Sequence, residues 1–104
     1  MAAFIDLEDF EKWLRAKPEE RVVGRARDPV DDPLANFLLE CLHRAALVGR
    51  ERMKVGQSVV ELPQWARVFE RSVDRRPRFS PITAAVALRL LTAARRPAHA
   101  IRRG

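Results

Sequence analysis

Residues 32–49 read DPLANFLLECLHRAALVG, and their apolar positions have the spacing of a helix face around which the rest of the chain is expected to pack. Asp32 suits the N-cap because its carboxylate accepts hydrogen bonds from the amides of the first turn. Pro33 suits the first helical position, where no N–H is needed. Gly49 suits the left-handed residue that ends a helix. The sequence therefore predicts a core helix bounded by Asp32 and Gly49, with a buried face of Leu34, Phe37, Leu38, Cys41, Leu42, Ala45 and Val48.

The chain on either side predicts three further helices, over residues 6–17, 63–74 and 80–95. Ser and Pro at the start of the last of these suit an N-cap and a first helical position. This fourth helix is apolar on nearly all sides, so either it is deeply buried or part of it contacts another chain. At such an oligomer contact we expect Leu88 and Leu91.

The period changes from 3.6 to 2 across residues 50–62, which predicts a β-hairpin from Arg50 to Leu62. Gly56 at the first central position favours a type II′ turn. That turn places Arg52 opposite Glu61 as a cross-strand ion pair. It also directs four apolar side chains toward the helices: Met53, Val55, Val60 and Leu62.

Residues 21–27 predict a short strand in which Val23 lies on the face that bears the arginines. The fold class that follows is α+β, with four helices and a small two- or three-stranded antiparallel sheet in the order α-β-α-β-β-α-α. At 104 residues the chain is expected to form a single compact domain, residues 1–104, with residues 96–104 as a frayed basic tail.

The chain has 20 basic against 14 acidic residues, a net charge of +6, and 17 of the basic residues are arginines. Arginine binds phosphates and carboxylates through a fixed fork of donors, but a GC-rich genome produces the same bias through its codons. Both explanations stand. No stretch reaches the roughly 18 apolar residues of a membrane span. The first residues lack the pattern of a signal peptide, so we expect no membrane contact and a cytoplasmic location.

Asp28, Asp31 and Asp32 form a dense group of carboxylates that would suit Mg²⁺ or Ca²⁺. The calcium-loop pattern is absent, however, and Asp before Pro is ordinary turn chemistry. Glu40 and His43 form a single Glu-x-x-His pair, where a dimetal site needs two. The sequence also lacks a Gly-rich phosphate loop, Gly-x-Ser-x-Gly and Cys-x-x-Cys. We therefore expect no metal, no cofactor and no enzymatic activity, with a metal-dependent enzyme at the three aspartates as a remote alternative.

The basic residues are the one pattern that points toward a partner. Those on the first strand and on the hairpin converge if the strands form one sheet, and the rest follow the third helix. No aromatic residue is evidently interleaved with them, which argues against base stacking. The fourth helix presents too few polar residues to read a DNA groove. The candidate contacts are Arg25, Arg27, Arg52, Lys54, Arg67, Arg71, Arg75, Arg76 and Arg78.

We interpret the chain as a small non-enzymatic binding or regulatory module, of the size of a bacterial or phage accessory protein. Its arginine-rich surface would contact nucleic acid, a nucleoprotein complex or an acidic protein surface. The alternative is a protein-interaction or self-assembling module that uses the apolar helix over residues 80–95. A merely solvated surface also explains the basic residues without any partner, and the third hypothesis is the metal-dependent enzyme at the three aspartates.

Overall fold

A computed structural model describes residues 5–95 of the chain. Its elements are α1 (Leu7–Arg15), β1 (Val22–Arg25), α2 (Pro33–Leu42), β2 (Ala46–Val48), β3 (Arg52–Val55), β4 (Ser58–Glu61), α3 (Gln64–Asp74), β5 (Pro81–Thr83) and α4 (Ala84–Arg95). The strands form two antiparallel sheets, one of β1 and β5 and one in the order β2-β3-β4. This confirms the α+β class and the order of the predicted elements, to which the structure adds β2 and β5.

The start of α2 is as predicted, but its end is not. Oδ2 of Asp32 accepts hydrogen bonds from the amides of Leu34 and Ala35, at 2.8 and 3.4 Å, and so caps the helix. His43 takes a left-handed φ of 53°, and its N–H donates to the carbonyl of Leu38. The helix therefore stops at Leu42, seven residues before the predicted stop at Gly49.

The residues beyond this stop form β2. Their apolar positions fit a helix and a strand equally, and pairing with β3 selects the strand, with Ala46 and Val48 buried and Leu47 exposed. The helical interpretation also placed Cys41 in the core, and this was wrong. Its side chain is exposed, as are those of Leu42 and Ala45 from the same predicted face, because the buried residues of the shortened helix lie between Pro33 and Leu38.

The β3–β4 hairpin has the predicted register and turn. Met53 pairs with Val60, and Gly56 has the positive φ of 60° that the first central position of a type II′ turn requires. Nε of Arg52 lies 3.4 Å from Oε2 of Glu61, as the cross-strand pair predicted. β3 alternates between a core face and a solvent face, whereas on β4 Val60 is half-buried and the other three residues are exposed.

β1 departs from simple alternation. A bulge between Val22 and Gly24 buries Val23 and leaves Val22 exposed, so the prediction that Val23 shares the arginine face was wrong. β1 pairs with β5, whose residues were predicted as the first turn of the last helix. Thr83, not Ser80, caps α4 by accepting a hydrogen bond from the amide of Val86 at 3.3 Å.

The core joins α1, α2, α3 and α4. Phe10 is fully buried, and its ring lies 5.3 to 6.0 Å, between centroids, from those of Trp13, Phe37, Trp65 and Phe69. α4 packs on α1 and α3, and Leu91 is 1% exposed. Leu91 therefore belongs to the chain's own core and offers no side chain to a partner. Leu88 is partly buried against the same core.

Within residues 5–95 no helix is long and apolar enough to cross a membrane. The predicted frayed tail, residues 96–104, lies outside the described residues.

Gly24 marks the closest approach of β1 to the start of α2. A Cβ at this position would lie 2.6 Å from Cδ of Pro33 and 2.8 Å from the carbonyl carbon of Asp32. Because both neighbours are held by the chain backbone, we expect Gly24→Ala to lower the free energy of unfolding by about 1–3 kcal/mol. Thermal denaturation should show this as a fall in Tm of roughly 5 to 15 °C.

Gly56→Ala is the matched control. A Cβ at Gly56 would meet no atom within 4 Å, so only the left-handed φ penalises it, by about 1 kcal/mol. A Gly24→Ala variant no less stable than Gly56→Ala would show that β1 and α2 do not approach as described.

Candidate nucleic-acid interface

Two loops with left-handed backbone lie side by side at the end of the β1–β5 sheet. Arg27 has a φ of 60° and Phe79 a φ of 64°, a region that non-glycine residues seldom adopt and that strains a bulky side chain. Ala26 joins the loops, since its carbonyl accepts from the amide of Phe79 at 2.8 Å and its amide donates to the Ser80 carbonyl at 3.0 Å. Phe79 is consequently held with its ring half-exposed.

One of the predicted arginines lies over this ring, and two others bond to backbone carbonyls of the same loop and of the end of α3. The guanidinium of Arg78 lies 4.9 Å from the ring centroid of Phe79, and Nη1 of Arg25 donates to the Phe79 carbonyl at 3.2 Å. Nε of Arg27 donates to the Asp74 carbonyl at 3.0 Å, which anchors the loop to the end of α3. We call Arg25, Arg27, Arg78 and Phe79 the Phe79 surface.

The Phe79 surface corrects one expectation from the sequence, because an exposed aromatic residue does lie among the arginines. Phe79 stands between two prolines in the stretch Pro77-Arg78-Phe79-Ser80-Pro81 and follows no apolar period. An aromatic residue in such a loop has no element to bury it, and that was the signal available in the sequence.

A cleft of about 320 Å³ adjoins the Phe79 surface. Three arginines line it, and Arg50, which was not among the predicted contacts, places Nε 2.9 Å from Oδ2 of Asp74. We call it the arginine cleft; its lining is Arg27, Asp28, Pro29, Asp32, Val48, Gly49, Arg50, Asp74 and Arg78. Acidic groups therefore share the cleft with the arginines.

The other predicted contacts lie on separate parts of the surface. The strands form two sheets, so the basic residues of β1 do not meet Arg52 and Lys54 on one sheet face. Both oxygens of Glu61 are engaged by arginines, with Arg52 at 3.4 Å and Arg67 at 2.6 Å. Arg71 and Arg75 are exposed along α3, while Arg76 is half-buried.

The three aspartates that suggested a cation site are directed to different partners. Oδ1 of Asp28 accepts from the amides of Val30 and Asp31. Oδ1 of Asp31 accepts from the side-chain amide of Asn36 at 2.9 Å, and Asp32 caps α2. Among residues 5–95 no group of three or more His, Cys, Asp or Glu side chains is arranged to hold a metal ion.

Asp32 and Glu70 form a buried carboxyl pair beneath the arginine cleft, each 3% exposed. Burial raises the pKa of Asp32 from its ordinary 3.8 to about 7, although hydrogen bonds from Glu70 and from the α2 amides lower it. Burial raises the pKa of Glu70 well above its ordinary 4.5, and the charges of Asp32 and Asp74 raise it further. Asp32 and Glu70 therefore titrate together as a pair that holds protons more tightly than two exposed carboxyls would.

Comparisons of this chain with protein-family models, with curated proteins and with solved structures gave no match.

The carboxyl pair predicts how stability depends on pH. Folding raises the pKa of both groups, so above about pH 4 the folded chain holds more protons than the unfolded chain, and the free energy of unfolding falls as the pH rises through 7. Glu70→Gln keeps a hydrogen-bond donor toward Asp32 and removes one titrating group. Between pH 5 and pH 8 the Tm of the wild type falls, and we expect the fall in Glu70→Gln to be smaller by roughly 5 °C, equivalent to about 1 kcal/mol.

The control is Glu51→Gln, the same chemical change at an exposed residue, which should retain the pH slope of the wild type. Equal slopes in all three proteins would mean that Asp32 and Glu70 do not bind extra protons on folding.

Proposed function

We propose that this chain is a non-enzymatic binding module that contacts nucleic acid, alone or within a nucleoprotein complex, through the Phe79 surface. The observation that supports this most strongly is the exposed ring of Phe79, held in a strained backbone conformation beside Arg25, Arg27 and Arg78. Strain of this kind persists where the surrounding structure imposes it, and it is concentrated at functional positions.

The chemistry of the surface suits a nucleic acid strand. Arginine forks bind phosphate oxygens, and an aromatic ring stacks on a base of any identity. Arg78 already packs on Phe79, so the ring and the guanidinium together offer a flat platform of aromatic and cationic groups. The net charge of +6 attracts a polyanion to the chain before these contacts form.

The acidic neighbours of the arginines do not prevent this use. Arg25 lies 3.6 Å from Asp31, and both side chains are almost half-exposed. Arg50 is 71% exposed in its pair with Asp74. Asp74 itself is 18% exposed, so of these two pairs only that of Arg25 with Asp31 is well exposed on both sides. Such a pair contributes little, about 0–1 kcal/mol, and a phosphate group competes with it readily.

Removal of the ring tests the platform. We expect Phe79→Ala to weaken binding of a labelled single-stranded oligonucleotide by about 5- to 150-fold in fluorescence anisotropy, because stacking contributes about 1–3 kcal/mol per base. Val59→Ala, which truncates a 65% exposed side chain on β4, is the control and should leave the affinity unchanged. Equal affinities of the two variants would exclude Phe79 from the interface.

The arginines are tested by the dependence of affinity on salt. We expect Arg25→Ala with Arg78→Ala to reduce the slope of log K against log salt by about one unit for each phosphate that the variant no longer binds. Arg15→Ala on α1, whose partner Glu11 retains Arg95 at 2.8 Å, should leave the slope unchanged.

The exposed arginines of α3, Arg71 and Arg75, test whether the interface lies elsewhere. If Arg71→Ala with Arg75→Ala reduces the slope while the changes at Arg25 and Arg78 do not, the interface lies on α3 and not at the Phe79 surface. If none of these variants alters a measurable affinity, the proposed function is wrong. It is also wrong if no oligonucleotide binds this chain more tightly than it binds a control protein of equal charge.

A further inference from the structure

A second surface, unrelated to the Phe79 surface, is an open groove of about 730 Å³ where α2 ends and β2 begins. Its walls include three large apolar side chains that remain exposed: Val30 at 63%, Leu42 at 43% and Leu47 at 46%. We call this the β2 groove; its lining is Val30, Leu42, His43, Arg44, Ala45, Ala46, Leu47, Lys54, Val55 and Gly56. Apolar residues grouped around a concavity in this way are typical of an interaction site.

The β2 groove is basic. Its lining includes His43, Arg44 and Lys54. Within the described part of the chain, residues 5–95, no Asp or Glu lines it. The carboxyl end of α2 brings a partial negative charge of about half a unit, and the full positive charge of Lys54 alone exceeds it. A ligand must therefore offer apolar side chains to the exposed apolar walls and negative charge to the basic residues that line the groove.

We propose that the β2 groove binds a segment of a partner protein in which acidic residues stand next to large apolar ones. A second copy of this chain is a poorer occupant, because each copy has a net charge of +6 and their approach is opposed by long-range repulsion. The chain's own residues 96–104 contain three arginines and no acid, so they lack the charge that the rim requires.

The sheet supplies a matched pair of variants. Leu47, Lys54 and Val59 occupy one row across β2, β3 and β4, with Leu47 opposite Lys54 and Lys54 opposite Val59. Leu47 lines the β2 groove and Val59 does not, yet both are exposed apolar residues on the same face of the same sheet. An Asp at either position changes charge and polarity equally, and only one of the two changes the groove.

The experiment selects ligands from a phage-displayed library of random dodecapeptides on the immobilised full-length chain. The enriched peptides are synthesised with a fluorophore, and their Kd is measured by anisotropy for the wild type, Leu47→Asp, Lys54→Glu and Val59→Asp. Circular dichroism confirms that each variant is folded, as exposed positions permit.

We expect enriched peptides to combine Asp or Glu with Leu, Ile or Phe. Leu47→Asp should weaken their binding about tenfold or more, the scale of one large apolar side chain removed from water. Lys54→Glu should weaken it more at low salt than at high salt, and Val59→Asp should alter it less than about twofold.

Each contrary result overturns the proposal. A library that yields no enriched peptide, or enriched peptides without acidic residues, contradicts the chemistry of the occupant. Equal effects of Leu47→Asp and Val59→Asp place the peptides elsewhere. A wild-type dimer in sedimentation velocity that Leu47→Asp dissociates assigns the groove to a second copy. Displacement of the selected peptides by a synthetic peptide of residues 96–104 assigns it to the chain's own tail.

Discussion

The carboxyl group of Asp32 lies buried where β1, α2 and α3 meet, and three neighbours depend on it. The carboxyl accepts hydrogen bonds from the first amides of α2 and pairs with Glu70 of α3. The backbone of Asp32 leaves no room for a Cβ on Gly24 of β1. A buried carboxyl without these partners would destabilise the fold, because an unpaired polar group keeps its full desolvation cost. The same carboxyl lines the floor of the arginine cleft, so the capping of α2 also fixes the site above it.

The Phe79 surface follows from how β1 ends and β5 begins. The bonds that Ala26 makes to residues 79 and 80 extend the pairing of the two strands, and both loops must then turn sharply. Arg27 and Phe79 turn them with left-handed backbone, which directs their side chains outward instead of into the core. An arginine and an aromatic ring are thus brought to one place from positions 52 residues apart, because of backbone geometry and not because of any local pattern.

The sequence predicted best where one pattern and one turn agreed. In the β3–β4 hairpin, alternation and Gly56 both specify the same register, and the structure has it. It predicted worst where one pattern fitted two structures. Ala46, Leu47 and Val48 continue the helical stripe of α2 and also alternate, and only the pairing with β3, a contact distant in sequence, favours the strand. Pro81 likewise fits the first position of a helix in the sequence, but in the structure residues 81–83 pair with β1.

The candidate interface was harder to predict than the fold, for a physical reason. Hydrophobic periodicity indicates which residues are buried, whereas Phe79 is exposed and follows no period, and Leu42 and Leu47 of the β2 groove are exposed although they fit the helical period. The arginine cleft and the β2 groove share a border, since Pro29 lines the cleft, Val30 lines the groove, and the Pro29 carbonyl accepts from the amide of Val48 at 3.1 Å. Their chemistry nevertheless differs. In the described part of the chain, three arginines and three aspartates line the cleft, whereas the lining of the groove combines basic and apolar groups without an acid, so the two differ both in charge and in apolar surface.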